Sequence, residues 1–101
     1  MANEFQVTCI TKKDRTSAHE HITHIGNILG KWKLTRESAI QRIEGKTEAF
    51  YTLDNNAKKI YIGVVRGDGQ KAPYLRTYAD GKWTDNLLAL PECTGLCVLI
   101  A

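Results

Sequence analysis

His19-Glu20-His21-Ile22-Thr23-His24-Ile25-Gly26 is the stretch around which the rest of the chain must fold. All three histidines of the 101-residue chain lie in its first six residues, a carboxylate separates the first two, and a glycine closes it. Before it comes an alternating segment that reads as a strand. After it comes the one convincing helix. The length fits one domain over residues 1–101. That is enough chain to bury a modest core without disulfides or metal.

Composition excludes whole classes. With 43% hydrophobic and 25% charged residues, the chain is neither disordered nor membrane-spanning. Fourteen basic against 11 acidic residues give +3. This tolerates an anionic partner without demanding one, and indicates nucleic acid only weakly. The three cysteines, Cys9, Cys93 and Cys97, are odd in number and form no Cys-x-x-Cys, so neither a disulfide framework nor a zinc ribbon is expected. Met-Ala-Asn-Glu-Phe at the start lacks the basic and apolar pattern of a secretory signal. These features predict a reducing, cytoplasmic setting and no membrane. The longest apolar run, from Leu96 to Ala101, is too short to cross a bilayer. Cys97 is not placed for prenylation.

Working outward from the histidines, residues 4–11 alternate, with Phe5, Val7 and Cys9 on one face, and predict a first strand. Residues 12–17 read as an exposed loop, and Gly26 and Gly30 bracket a turn. Thr35 is a good N-cap with Glu37 in the first turn. Leu34 and Ala39 are spaced for a hydrophobic staple. Ala39, Ile40 and Ile43 form an apolar stripe, Gly45 is the expected C′ residue, and Trp32 anchors the entry. A helix this short needs a sheet to lie on.

Residues 47–53 predict a second strand, Asp54-Asn55-Asn56 a turn, and residues 59–66 a third strand. Gly67-Asp68-Gly69 turns again, residues 74–78 form a fourth strand, and Asp80-Gly81 makes a tight hairpin returning at Trp83. Residues 86–90 are ambiguous between strand and helical turn, and Pro91 ends them. Residues 96–100 read as a last strand that must pair within the fold or across subunits. The expected architecture is α+β: a mostly antiparallel sheet of about five strands with one helix packed on one face.

Three kinds of chemistry compete with plainer readings. His19 and His21 share a face of an extended segment, and Cys93 or Cys9 would complete a metal site with them. Alternatively, the histidines order a loop and the cysteines fill the core. A Cys93–His19 nucleophile pair has no local signature behind it. No phosphate loop is present, since residues 67–71 lack Walker spacing. On the fourth strand, Tyr74, Arg76 and Tyr78 share a face, Trp83 follows, and Arg66 ends the preceding strand. Rings stack on bases and guanidinium groups pair with phosphate. The plain alternative is a solvated sheet face.

His19-Glu20-x-Ile22 with Gly26, Trp32 before a short helix, Tyr74-Leu75-x-Thr77 before Asp80-Gly81, and Asn86-Leu87-Leu88-x-Leu90-Pro91-Glu92-Cys93 together resemble a family of small bacterial and phage proteins. That family is known only as a domain of unknown function. The likeness runs from Cys9 to Cys93, and its most specific part is the Asn86–Cys93 motif. The family often carries another residue at the position of His21, which moves weight to His19 and Glu20. Its members stop soon after the cysteine, so residues 94–101 are unexplained. The resemblance implies a bacterial or phage origin and no established activity.

The leading expectation is a non-catalytic module, without cofactor, for a small anionic or nucleotide-like ligand. Tyr74, Arg76, Trp83 and Arg66 would supply stacking and charge, and His19, Glu20 and Asn86 hydrogen bonds. Phage origin would make such a module a sequestering protein. The alternatives are homo-oligomerisation through Leu96 to Ala101, and a metal site at His19 and Cys93.

Overall fold

The computed structural model describes residues 3–12, 22–66, 73–79 and 81–100. In chain order its elements are β1 (Asn3–Gln6), β2 (Cys9–Lys12), β3 (Ile22–Asn27), β4 (Trp32–Thr35), α1 (Arg36–Glu44), β5 (Glu48–Leu53), β6 (Lys59–Val65), β7 (Tyr74–Ala79), β8 (Lys82–Thr84) and β9 (Val98–Leu99). The class is α+β, but there are two mixed sheets rather than one. A five-stranded sheet runs β1-β5-β6-β7-β8 and a four-stranded sheet runs β2-β3-β4-β9.

The second sheet arises because the alternating segment does not stay one strand. β1 pairs in parallel with β5, whereas β2 pairs antiparallel with β3. The switch falls at Val7 and Thr8. The Val7 amide donates to Tyr51 O at 2.7 Å and the next amide, Thr8, to Gly26 O at 2.9 Å. Thr8 Oγ1 accepts from Ile28 N at 2.9 Å, and Asn27 Nδ2 donates to Gln6 O at 2.9 Å. Asn27 Oδ1 also accepts from Gly30 N at 2.8 Å, so one amide side chain closes the β3–β4 turn and ties it to the other sheet. Val7, Cys9 and Ile10 are all buried, which breaks the period of two beyond the switch.

The histidine-rich stretch contributes β3, in the interior of the four-stranded sheet. Ile22 and Ile25 are fully buried there. Their spacing of three masks the strand, since regular alternation would put them on opposite faces. Gly26 has no room for a side chain: a Cβ would sit 2.4 Å from Trp32 O across the hairpin. Residues 13–21, including His19, Glu20 and His21, lie outside the described residues.

α1 forms as expected at its start. Thr35 Oγ1 accepts from Ser38 N at 3.1 Å, and Leu34 and Ala39 are both buried in the core. At its end the left-handed residue is Lys46 (φ 58°), while Gly45 keeps helical angles. Thr47 N donates to Arg42 O and Lys46 N to Ile43 O, both at 3.1 Å, which is a Schellman closure shifted one residue along the chain. The helix packs against β3 and β4 of one sheet and β5, β6 and β7 of the other, rather than on one face of a single sheet. Val7, Ile10, Ile22, Ile25, Leu34, Ile40, Phe50, Ile62, Leu75 and Leu87 fill the shared core.

β5 to β8 form the predicted meander. Asp54 Oδ1 accepts from Asn56 N and Lys58 N to close its first turn, and Gly81 takes the left-handed conformation (φ 82°) in the last. Residues 86–90 form turns, neither strand nor helix, with Ala89 N donating to Asn86 O and Leu90 N to Leu87 O at 3.3 Å. They drop Leu87 fully into the core. The expected last strand reduces to β9, which pairs in parallel with β4. Among the described residues, no helix is long and apolar enough to cross a membrane.

Asn27→Ala removes the bond to Gln6 O across the sheet switch and the bond that closes the β3–β4 turn, and is expected to lower stability by about 1–3 kcal/mol. Urea unfolding would show a reduced midpoint with an unchanged slope.

Candidate functional site

β7 presents its residues alternately, with Leu75 and Thr77 buried and Tyr74, Arg76 and Tyr78 on the other face. The neighbouring strands extend that outer face. Register pairs Tyr51 with Tyr61, Tyr61 with Tyr78, and Tyr78 with Trp83. Four aromatic side chains therefore form one row across β5, β6, β7 and β8. Tyr61, Tyr78 and Trp83 are 42%, 46% and 39% exposed, so their rings remain open to solvent.

The row is internally packed. Tyr51 and Tyr61 meet edge to face at 6.2 Å, and Tyr78 and Trp83 at 5.0 Å. Trp83 lies over Gly63, where an added Cβ would come 3.2 Å from its ring. Tyr61, Ile62, Gly63, Tyr78 and Trp83 line a shallow concavity of about 430 Å³. Lys59 Nζ stands 4.7 Å from the Tyr51 ring centre and donates to Glu4 Oε1 at 2.9 Å. Tyr61 OH donates to the same carboxylate at 3.1 Å. These bonds, the Lys59 one foremost, hold Glu4 below the usual carboxylate range. They also raise Lys59 and Tyr61, each chiefly through its hydrogen bond to Glu4.

The arginines are engaged within the chain. Arg76 Nε donates to Thr84 O at 3.1 Å and its Nη2 to Asp85 Oδ1 at 2.8 Å, bracing the β7–β8 hairpin beside the row. Beneath it, Thr77 Oγ1 donates to Thr84 O and accepts from Thr84 Oγ1 and Leu87 N. Arg66 turns to the end of α1, where its fork meets both oxygens of Glu44. Asn86 opens the turn after β8 as a backbone acceptor. The fold thus gathers Tyr74, Arg76, Tyr78 and Trp83, while Arg66 is drawn to the helix. His19, Glu20 and Asp80 lie outside the described residues. Sequence reasoning missed Tyr51 and Tyr61 as parts of the row. The signal was the pairing register across the Asp54-Asn55-Asn56 turn.

A second concavity, about 340 Å³, opens beside the core among Phe5, Trp32, Leu34, Phe50 and Ile100. Arg42 and Glu48 form an ion pair at its wall at 2.6 Å. Its aromatic rings cluster at 6.0–6.4 Å between centres and extend the core outward.

The cysteines correct the expectation that no disulfide framework is present. Cys9 and Cys93 are joined by a disulfide across 84 residues, and Cys97 is free and buried. No local spacing signals such a pair; the fold brings it together when Ile10 bridges to Glu92. Bonded Cys93 has no thiolate to serve as a nucleophile or, with His19, as a metal ligand. The cysteine argument for a reducing compartment falls with it.

A family model described as "Protein of unknown function (DUF3892)" matches residues 6–91, and the chain belongs to that family. No curated protein and no solved structure matches the chain.

His24, half-buried on β3 with Nδ1 2.9 Å from Thr23 Oγ1, is pushed below the usual imidazole range. Burial is the main cause, the Lys33 ammonium adds to it, and Glu37 opposes it. The folded state thus favours neutral His24. Its contribution to stability should be complete above the ordinary value near ~6.5 and decline as pH falls from there to the lowered value. Urea midpoints measured across that window should vary less in His24→Gln than in the parent.

Proposed function

We propose that this DUF3892 protein is a non-catalytic binding module for a nucleotide-like ligand, whose base lies against the exposed aromatic row. The observation that carries this reading is the register Tyr51–Tyr61–Tyr78–Trp83 across four adjacent strands. At about 4.8 Å per strand the row extends roughly 14 Å, enough to offer π-faces to two or three unpaired bases. Stacking on such rings is worth about 1–3 kcal/mol per base. Tyr74 and Arg76 border the row on the same face, and Lys82 lies on the adjoining hairpin. Asp85, which holds Arg76, is 75% exposed on its side chain. Arg76 is half-buried and its Nε stays on Thr84 O, so a phosphate would compete with Asp85 for the outer nitrogens of the guanidinium. His19, Glu20 and Asn86 would add polar contacts in this reading. A phage origin would make the module a trap for a signalling nucleotide.

Calorimetric titration against a panel of nucleotides and short single strands tests the proposal. At least one should bind, and Trp83→Ala and Tyr78→Ala should each weaken it by about five- to 150-fold. Trp32→Phe, on the other sheet, should leave binding unchanged. No heat with any member, together with no salt-sensitive retention on nucleic acid, ends the reading.

A second reading has its own observation. Leu96, Val98, Leu99 and Ile100 are 71%, 63%, 50% and 54% exposed around β9, the edge strand of the four-stranded sheet. An apolar edge of this kind pairs readily with a second copy. Light scattering should then give a dimer that Val98→Lys converts to monomer. A monomeric parent protein would dismiss it.

A further inference from the structure

Three sulfurs meet where β2, the segment after Pro91 and the start of β9 converge. Cys9 is fully buried on β2, Cys97 is 6% exposed, and Cys93 is half-buried. Their sulfur atoms all lie within 4.8 Å of one another. Cys97 is the free thiol, and its Sγ has only long contacts, 3.9 Å to Thr94 Oγ1 and to Asn27 O. We propose that, once a dithiol reductant has opened Cys9–Cys93, the three cysteines bind one soft, thiophilic cation of the Zn²⁺ or Cu⁺ type.

The donor set selects this chemistry. Among the described residues the group contains sulfur alone, with no carboxylate or imidazole, which disfavours Ca²⁺ and Mg²⁺ and suits Zn²⁺ or Cu⁺. Metal–sulfur bonds of about 2.3 Å place tetrahedral ligands roughly 3.8 Å apart. The bonded Cys9 and Cys93 sulfurs must therefore move apart once reduced, while Cys97 needs to close by about 1 Å at most, given that bond length. Backbone hydrogen bonds also hold the segments that position them. Ile10 N donates to Pro91 O and Cys93 N to Ile10 O, both at 3.0 Å, and Cys97 N donates to Thr94 O at 3.1 Å. Thr94-Gly95-Leu96 gives the loop between two of the donors freedom to adjust.

The steps balance. The dithiol passes two electrons and two protons to the disulfide, becomes a disulfide itself, and leaves two thiols beside Cys97. The cation then forms three metal–sulfur bonds as three S–H groups release their protons to solvent. Three sulfurs complete a trigonal Cu⁺ site, whereas Zn²⁺ takes a fourth ligand from solvent.

The test uses the full chain, reduced with a dithiol, desalted without oxygen, and titrated separately with Zn²⁺ and Cu⁺ under native mass spectrometry. One cation per chain is expected with at least one of the metals, with a mass showing lost protons and a higher melting temperature. Cys97→Ser should weaken binding by about a hundredfold while leaving the melting of the oxidised protein unchanged. If the reduced chain unfolds and metal restores its circular dichroism, the proposal stands; if metal does not restore it, the proposal falls. It also falls if neither metal binds the reduced protein, or if Cys97→Ser binds as well as the parent.

Discussion

Two successive amides, Val7 and Thr8, donate to carbonyls in different sheets, and the architecture depends on that divergence. Without it the N-terminal segment would lengthen one sheet and leave the other without its β2 edge. With it, one short stretch fastens β5 to β3 and sets the space that α1 and the core residues fill. Neighbouring polar groups support the junction, since Asn27 and Thr8 use side-chain atoms where strand pairing stops. Buried backbone groups must find partners, and here the partners also decide how the two sheets sit together.

The meander owes its exposed face to the same arrangement. With Ile60, Ile62, Leu75 and Thr77 turned toward the core, alternation sends Tyr61, Tyr78 and Arg76 outward. Charge on that face is mostly held in local pairs, Lys59 with Glu4 and Arg76 with Asp85. Its character is therefore set by rings more than by net charge. This fits an overall excess of only +3. An aromatic surface with paired charges favours flat, delocalised partners over a purely electrostatic one.

Much of this was legible from residue order. The Thr35 cap, the Asp54 turn, the β7–β8 hairpin at Gly81 and the β5–β8 strands follow from local chemistry, as does the shared face of Tyr74, Arg76 and Tyr78. What escaped has non-local causes. Ile22 and Ile25 read as neither strand nor helix because the β2–β3 register shifts between His24 and Ile22, which breaks the alternation. The split at Val7 depends on Tyr51 and Gly26, far along the chain. The Cys9–Cys93 bond and the transverse aromatic row exist only once registers are fixed, and one sequence does not print its registers. Arg66 looked free for a ligand because the proximity of Glu44 is tertiary.

The parallel pairing of β1 with β5 also sets an order of events. Asn3 meets Glu48, so this contact closes a long loop of chain. The hairpins of β5 to β8 close over short loops, so the entropy of chain closure falls mainly on the N-terminal strand. On a ribosome the first residues made would therefore be among the last to settle, staying adrift until the middle of the chain has emerged to receive them.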